Sequence, residues 1–190
     1  MKKYLVVVLL LSLFGCASGT YIAPKQDIPK DPFYKILDKS FDETWKELIQ
    51  YTGSTFYAID SHEKASGLIT LSFSSSNPSL YIDGGEMDVS SLIINFKGSY
   101  ADYLAKYFNA ALEGKMNIVV TELQSQKTKI QINVRYIFAT HTSQIPNSTW
   151  IFDSGTCDTK TVLGKTVGTS DERTFCPTYK VEKDILDAIK

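Results

Sequence analysis

The chain has 190 residues, 43% of them hydrophobic, with 20 basic and 21 acidic side chains and a formal net charge of −1. That length suits one domain with an extension, and the apolar share is ordinary for a packed core. The near-balance of charge removes the basic footprint that holds nucleic acid or anionic lipid, so neither is expected as the main partner.

Met1-Lys2-Lys3 is a short cationic start, and Tyr4 to Phe14 form an almost wholly apolar run. A positive start followed by an apolar core of this length is the pattern of a secretory signal peptide. The run is too short to cross a hydrocarbon core, which needs about 20 residues. It ends in Leu13-Phe14-Gly15-Cys16. This tetrad resembles the lipobox of bacterial lipoproteins, with Leu three before the cysteine and a small residue just before it. Phe14 is bulkier than the usual residue at its place. The resemblance implies that residues 1–15 are removed and that the Cys16 thiol carries a diacylglycerol thioether. It also implies further acylation, palmitate being a typical chain. Two or more acyl chains give stable membrane anchoring. Ala17, not Asp, follows the cysteine; in a Gram-negative host this resembles an outer-membrane address facing the periplasm. Without Lys2 and Lys3 the mature chain keeps 18 basic and 21 acidic side chains, a net −3.

Residues 16–32 contain Pro24, Pro29 and Pro32. Proline opposes helix and central strand, so the lipidated cysteine and this segment are expected to form a flexible tether. A single domain is expected over 33–190. Phe33 to Asp38 predicts a short strand. Ser40 and Glu43 make a capping box. Phe41, Trp45, Leu48 and Ile49 fall on one helical stripe, which predicts a helix over 41–52 that stops at Gly53. Phe56–Asp60 and Gly67–Ser74 predict strands joined by a polar turn, Ser61 to Lys64. Ser75 to Asp88 reads as loop and Val89 to Phe96 as strand. Tyr100, Tyr103, Leu104, Tyr107, Phe108, Ala111 and Leu112 predict a helix over 99–112.

Met116–Leu123 and Lys129–Ala139 predict a hairpin. Ile130, Ile132, Val134, Tyr136 and Phe138 alternate with polar residues, the mark of an antiparallel sheet with one wet face. Thr149–Phe152 predicts one more strand. Pro177-Thr178 opens a last helix bearing Val181, Ile185, Leu186 and Ile189. The expected fold class is α+β, an antiparallel sheet with helices packed on one face.

Phe41-Asp42-Glu43-Thr44-Trp45, then Ile59-Asp60, then Ser66-Gly67-Leu68-Ile69-Thr70 give a phenylalanine-opened helix, an aspartate, a turn, a glycine and a strand. This layout resembles the helix-grip domains of BamC-like outer-membrane lipoproteins, which serve the assembly of outer-membrane β-barrels. Leu112 to Asn117 and Cys176-Pro177-Thr178-Tyr179 resemble a broader group of bacterial lipoproteins. The resemblance implies a helix-grip-like domain and no activity.

Of three cysteines, Cys16 is assigned to lipid, which leaves Cys157 and Cys176. An exported compartment is oxidising, so these two are expected to pair and close the 157–176 loop. The loop is polar and has little to bury. A Cys-based metal site is the weaker reading, since no histidine stands close. His62 and His141 are the only histidines. No Gly-x-Ser-x-Gly elbow and no His-Glu-x-x-His pair accompanies them, so they read as loop residues. Asp83, Glu86 and Asp88 crowd a glycine-bearing loop, a donor type suited to calcium, but their spacing departs from the EF-hand. Asn147-Ser148-Thr149 is an incidental sequon in a bacterial chain.

No catalytic residue, metal site or cofactor is expected. The leading expectation is a non-enzymatic envelope module, bound to the membrane through Cys16 and docking on another envelope protein. Tyr100, Tyr103 and Tyr107 are its candidate partner or ligand surface. An apolar-ligand carrier with a cleft between helix and sheet is the first alternative, and a hydrolase using His62 or His141 the second.

Overall fold

The computed structural model describes residues 18–25, 28–29, 33–91, 93–124, 126–142, 147–163 and 170–190. The expected leader, Cys16 and much of the expected tether lie outside them.

Alternation builds the frame. Strands β8 (Ala111–Gln124) and β9 (Lys127–Ala139) form a long antiparallel pair. Leu112, Met116, Ile118 and Val120 are buried on one face of β8, beside Ile130, Ile132, Val134, Tyr136 and Phe138 of β9. Glu113, Lys115, Asn117, Asn133 and Arg135 are exposed on the other face. A slip of one residue would put the whole isoleucine row in water, so the period of two also sets the register. Outside this pair lie β4 (Leu68–Ser75) and β3 (Ala58–Glu63) on one side, and β10 (Thr149–Asp153) on the other. The strand order is β10-β9-β8-β4-β3, and β2 (Tyr34–Leu37) pairs with the part of β9 that β10 leaves free.

The α+β class is as expected, but the strands form three sheets rather than one. A second sheet joins β1 (Ser18–Ile22), β6 (Glu86–Ser90) and β7 (Asn95–Ser99). A third joins β11 (Asp158–Leu163), β12 (Ser170–Pro177) and β5 (Ile82–Asp83).

Three helices are described. α1 (Phe41–Gly53) opens with the expected capping box: the Glu43 amide donates to Ser40 Oγ and the Ser40 amide to Glu43 Oε2. The Ser40 hydroxyl, which also donates to Glu43 Oε2 at 2.7 Å, and then the Ser40 amide hold the Glu43 carboxyl below its ordinary range. Trp45 and Leu48 are buried and Ile49 and Phe41 half-buried. Gly53 is the last helical residue, and Ser54 closes the end. α2 (Tyr100–Phe108) lies against the second sheet and a short 3-10 turn, Pro78–Leu80. α3 (Lys180–Ala188) packs on β9. Lys35 of β2 donates through Nζ to the carbonyls of Leu186 (2.9 Å) and Ile189 (2.6 Å). A cation at the end where helix carbonyls lack partners is stabilising, and this one ties α3 to the sheet.

Several local expectations give way. Residues 18–22, read as tether, form β1; the prolines constrain only the chain that follows. The apolar run from Val89 to Phe96 is not one strand. Ser91 Oγ accepts from the amides of Ile94 (2.9 Å) and Ile93 (3.3 Å), which folds the run into the β6–β7 turn. The helix expected to 112 ends at Phe108, because Asn109 takes the left-handed conformation (φ 48°, ψ 40°) that caps helices. Ala111 and Leu112 already belong to β8. The 75–88 stretch holds the 3-10 turn, β5 and the start of β6. The turn expected at Ser61–Lys64 falls at Lys64–Gly67, leaving His62 on a strand.

The cysteine segment is the largest correction. It is not a bare polar loop but the hairpin β11–β12, closed at its base by the expected Cys157–Cys176 disulfide with Cα atoms 4.4 Å apart. β12 carries Phe175 into the centre of the core, where it lies 4.8 Å from Trp150, 4.9 Å from Phe138 and 5.7 Å from Tyr100 between ring centroids. Gly84 makes room for it, since a Cβ there would fall 2.2 Å from the Phe175 ring.

Candidate functional site

The tyrosine stripe is built by α2, whose helical period puts residues 100, 103 and 107 on one side. That side faces inward. Tyr100 is 6% exposed and Tyr103 8%, and Tyr107 is half-buried. Phe96 packs on Tyr103 at 5.3 Å and Tyr21 on Tyr100 at 5.3 Å. Burial pushes the Tyr100 hydroxyl up to about 12, against the opposing pull of Arg173. The stripe therefore glues α2 to the second sheet and is not a free docking surface. Phe96, Tyr21, Phe108 and Phe175 pack beside it.

The buried Arg173 of β12 completes this packing. Its guanidinium lies 4.2 Å from the Tyr21 ring and 5.6 Å from the Tyr100 ring, and NH2 donates to Asp171 at 3.0 Å. The Thr174 amide donates to the Tyr21 hydroxyl (3.3 Å). The N-terminal strand is thus held by backbone pairing and by an aromatic–cation sandwich.

A second buried polar group was not expected. Glu182 of α3 is 0% exposed. Ser154 Oγ donates to its Oε1 at 2.7 Å and the Tyr136 hydroxyl to its Oε2 at 3.0 Å. The Val134 amide in turn donates to Ser154 Oγ at 2.8 Å. Burial raises the Glu182 carboxyl above its ordinary 4.5, with the Ser154 hydrogen bond pulling the other way. Below 4.5 the folded and unfolded carboxyls are both protonated and this contribution to stability is complete. Above it the unfolded chain releases its proton first, so stability falls with rising pH until the folded carboxyl also ionises. Glu182→Gln, which cannot ionise, is expected to lose that fall. Urea midpoints measured between pH 4.5 and 7 test this, and parallel curves for the two proteins would refute it.

The remaining candidates are dispersed. His62 lies on β3, opposite Ile69, which stands in line with Ile118 and Ile132 across the sheet. His141 follows β9, nine residues beyond Ile132, or about 30 Å along the strand direction. The two cannot share a site. Asp83 Oδ1 accepts from the Gly85 amide (2.8 Å), while Asp88 of β6 pairs with Lys97 (3.4 Å). Among the described residues no three His, Cys, Asp or Glu side chains converge as a metal site.

What the fold does present is the open face of the main sheet. The register aligns Asp153, Arg135, Lys115 and Ser72 in one row, and Asn133, Asn117 and Thr70 in the next. Arg135 holds Asp153 through two hydrogen bonds, Nε to Oδ1 at 2.8 Å and NH2 to Oδ2 at 3.3 Å. All the residues of these two rows but Ser72 line a shallow concavity of about 440 Å³. Exposed apolar residues flank it: Ile151 on β10, and Tyr34 and Ile36 on β2. Lys129 Nζ sits 4.8 Å over the Tyr34 ring. A polar centre with aromatic and aliphatic neighbours is a composition that suits protein recognition. Its alternation is legible in the sequence, but its concavity comes from strand order and is not. No protein-family model, curated protein or solved structure matches the chain.

Proposed function

We propose that this chain is a lipid-anchored, non-enzymatic module of the bacterial envelope, bound to the outer membrane on its periplasmic side in a Gram-negative host. It docks on another envelope protein through the open face of its main sheet. The observation that carries the anchor is the tetrad Leu13-Phe14-Gly15-Cys16 at the end of an apolar leader. The open face supports the docking role, since it combines hydrogen-bonding groups and flanking apolar residues on one solvent-facing surface.

Two measurements test the reading. Mass spectrometry of the mature protein is expected to find cleavage before Cys16 and an acylated, thioether-linked cysteine, both lost in Cys16→Ser. A photo-crosslinking residue at Asn133 in intact cells is expected to give a discrete protein adduct that Arg135→Glu abolishes. An unmodified Cys16 would remove the anchor, and the absence of any adduct would remove the docking role.

A further inference from the structure

We infer that the β6–β7 turn is a membrane-contact tip, inserting Ile93 into the lipid interface beside the acylated Cys16. The inference rests on the lipid anchor proposed above and goes beyond it, by fixing which side of the domain meets the bilayer.

The register carries it. β1 runs antiparallel to β6 with Ser18 opposite Ser90, and Ser90 is opposite Asn95 of β7. Cys16 stands two residues before Ser18, a span of at most about 7 Å. Paired Cα atoms in such a ladder lie about 5 Å apart. An acyl chain on Cys16 would therefore start within about two residues' reach of the end of the sheet where β6 turns into β7.

That turn holds a side chain that the fold does not use. Ile93 is 93% exposed, while the neighbouring Ile94 is half-buried against the core. The exposure is not that of a loose loop. The Ser91 amide donates to the Ile94 carbonyl at 2.8 Å, and the Ser91 hydroxyl accepts from both isoleucine amides. Hydrogen bonds to Ser91 thus hold the Ile93 side chain in solvent. Residues 90–95 carry no charge, so no ionised group need be desolvated when the tip enters the interface. β1 in turn is fastened by Tyr21 on Arg173, so the strand that leads to the anchor is fixed beside the tip. Anchor and tip together give two points of membrane contact, which restrict how the domain tilts.

The test uses the lipidated, full-length mature protein reconstituted into phosphatidylcholine vesicles that contain nitroxide-labelled acyl chains. Cys157 and Cys176 are joined and Cys16 is acylated, so Ile93→Cys can be labelled alone with an environment-sensitive fluorophore. Glu63→Cys, exposed on the edge strand β3 of the main sheet, is the reference. The expected result is a blue-shifted emission at position 93 that is quenched at least threefold more than at position 63. Equal quenching at the two positions, with acylation of Cys16 verified by mass, overturns the tip and leaves the anchor standing; the turn then serves a protein partner or a second copy. A mature protein with no acyl group on Cys16 overturns both.

Discussion

Phe175→Ala is expected to lower the stability of the domain by about 3–5 kcal/mol, the range for deleting a fully buried phenylalanine ring. Phe175 is 0% exposed and touches rings from β9, β10 and α2. It is the point where the third sheet, the main sheet and the tyrosine helix meet. Removing it leaves a cavity whose aromatic walls cannot collapse readily, because each belongs to a different element. Typical domains hold only about 5–15 kcal/mol in total, so the variant stands near the limit of folding. Phe175→Leu keeps most of the volume and is the measurable companion, with an expected loss of roughly 1–1.5 kcal/mol. Urea denaturation checks both. A loss below 1 kcal/mol for the alanine variant would show that the third sheet is not packed on the main one.

Converting both Cys157 and Cys176 to serine is expected to cost about 3 kcal/mol, from the entropy of the 20-residue loop the bridge closes in the unfolded chain. For a domain of this size that corresponds to a fall in Tm of about 6–12 °C. A reductant should reproduce the fall in the unmutated protein and leave the serine variant unchanged. Two free thiols in the non-reduced protein would refute the bridge outright. The disulfide and Phe175 are neighbours on β12, so their effects are expected to couple rather than add. Without the bridge, the β11–β12 pairing and the ring must together hold the hairpin base.

These two predictions differ in how far the sequence alone leads to them. The disulfide follows from counting: once Cys16 is assigned to lipid, two cysteines remain in an oxidising compartment. Phe175 does not, because nothing in Thr174-Phe175-Cys176 distinguishes a core anchor from a loop residue. The same contrast runs through the fold. α1 is legible because its signals are local, a capping box and an apolar stripe within one segment. The β8–β9 pair is legible because its alternation runs over a dozen residues. β1 is not, since five residues carry too short a pattern and their partner stands 64 to 72 positions away. The tyrosine stripe shows the limit of periodicity. Spacing identifies a face of α2, but which way that face points is decided by Phe96, Tyr21 and Phe175 from elsewhere. Glu182 carries a signal in the sequence: it sits three and four residues before Ile185 and Leu186, on the apolar side of α3. A lone carboxylate on such a stripe marks a buried group with hydrogen-bonding partners.

The distance in sequence between β1 and β6 has a consequence in time. If the chain is exported as proposed, the N-terminal strand crosses first, and at least 64 further residues must follow before its partner is available. Until then the nearest folded point on the chain can be no closer than β2, at Tyr34. Cys16 then rides on a slack lead of 18 residues, up to about 60 Å when drawn out. Under the proposed lipidation, that slack would give modifying enzymes room to reach the thiol. Closing the β1–β6 ladder later shortens that lead, so on the proposed anchoring one five-residue strand would set two leash lengths, long while the anchor is made and short once it is used.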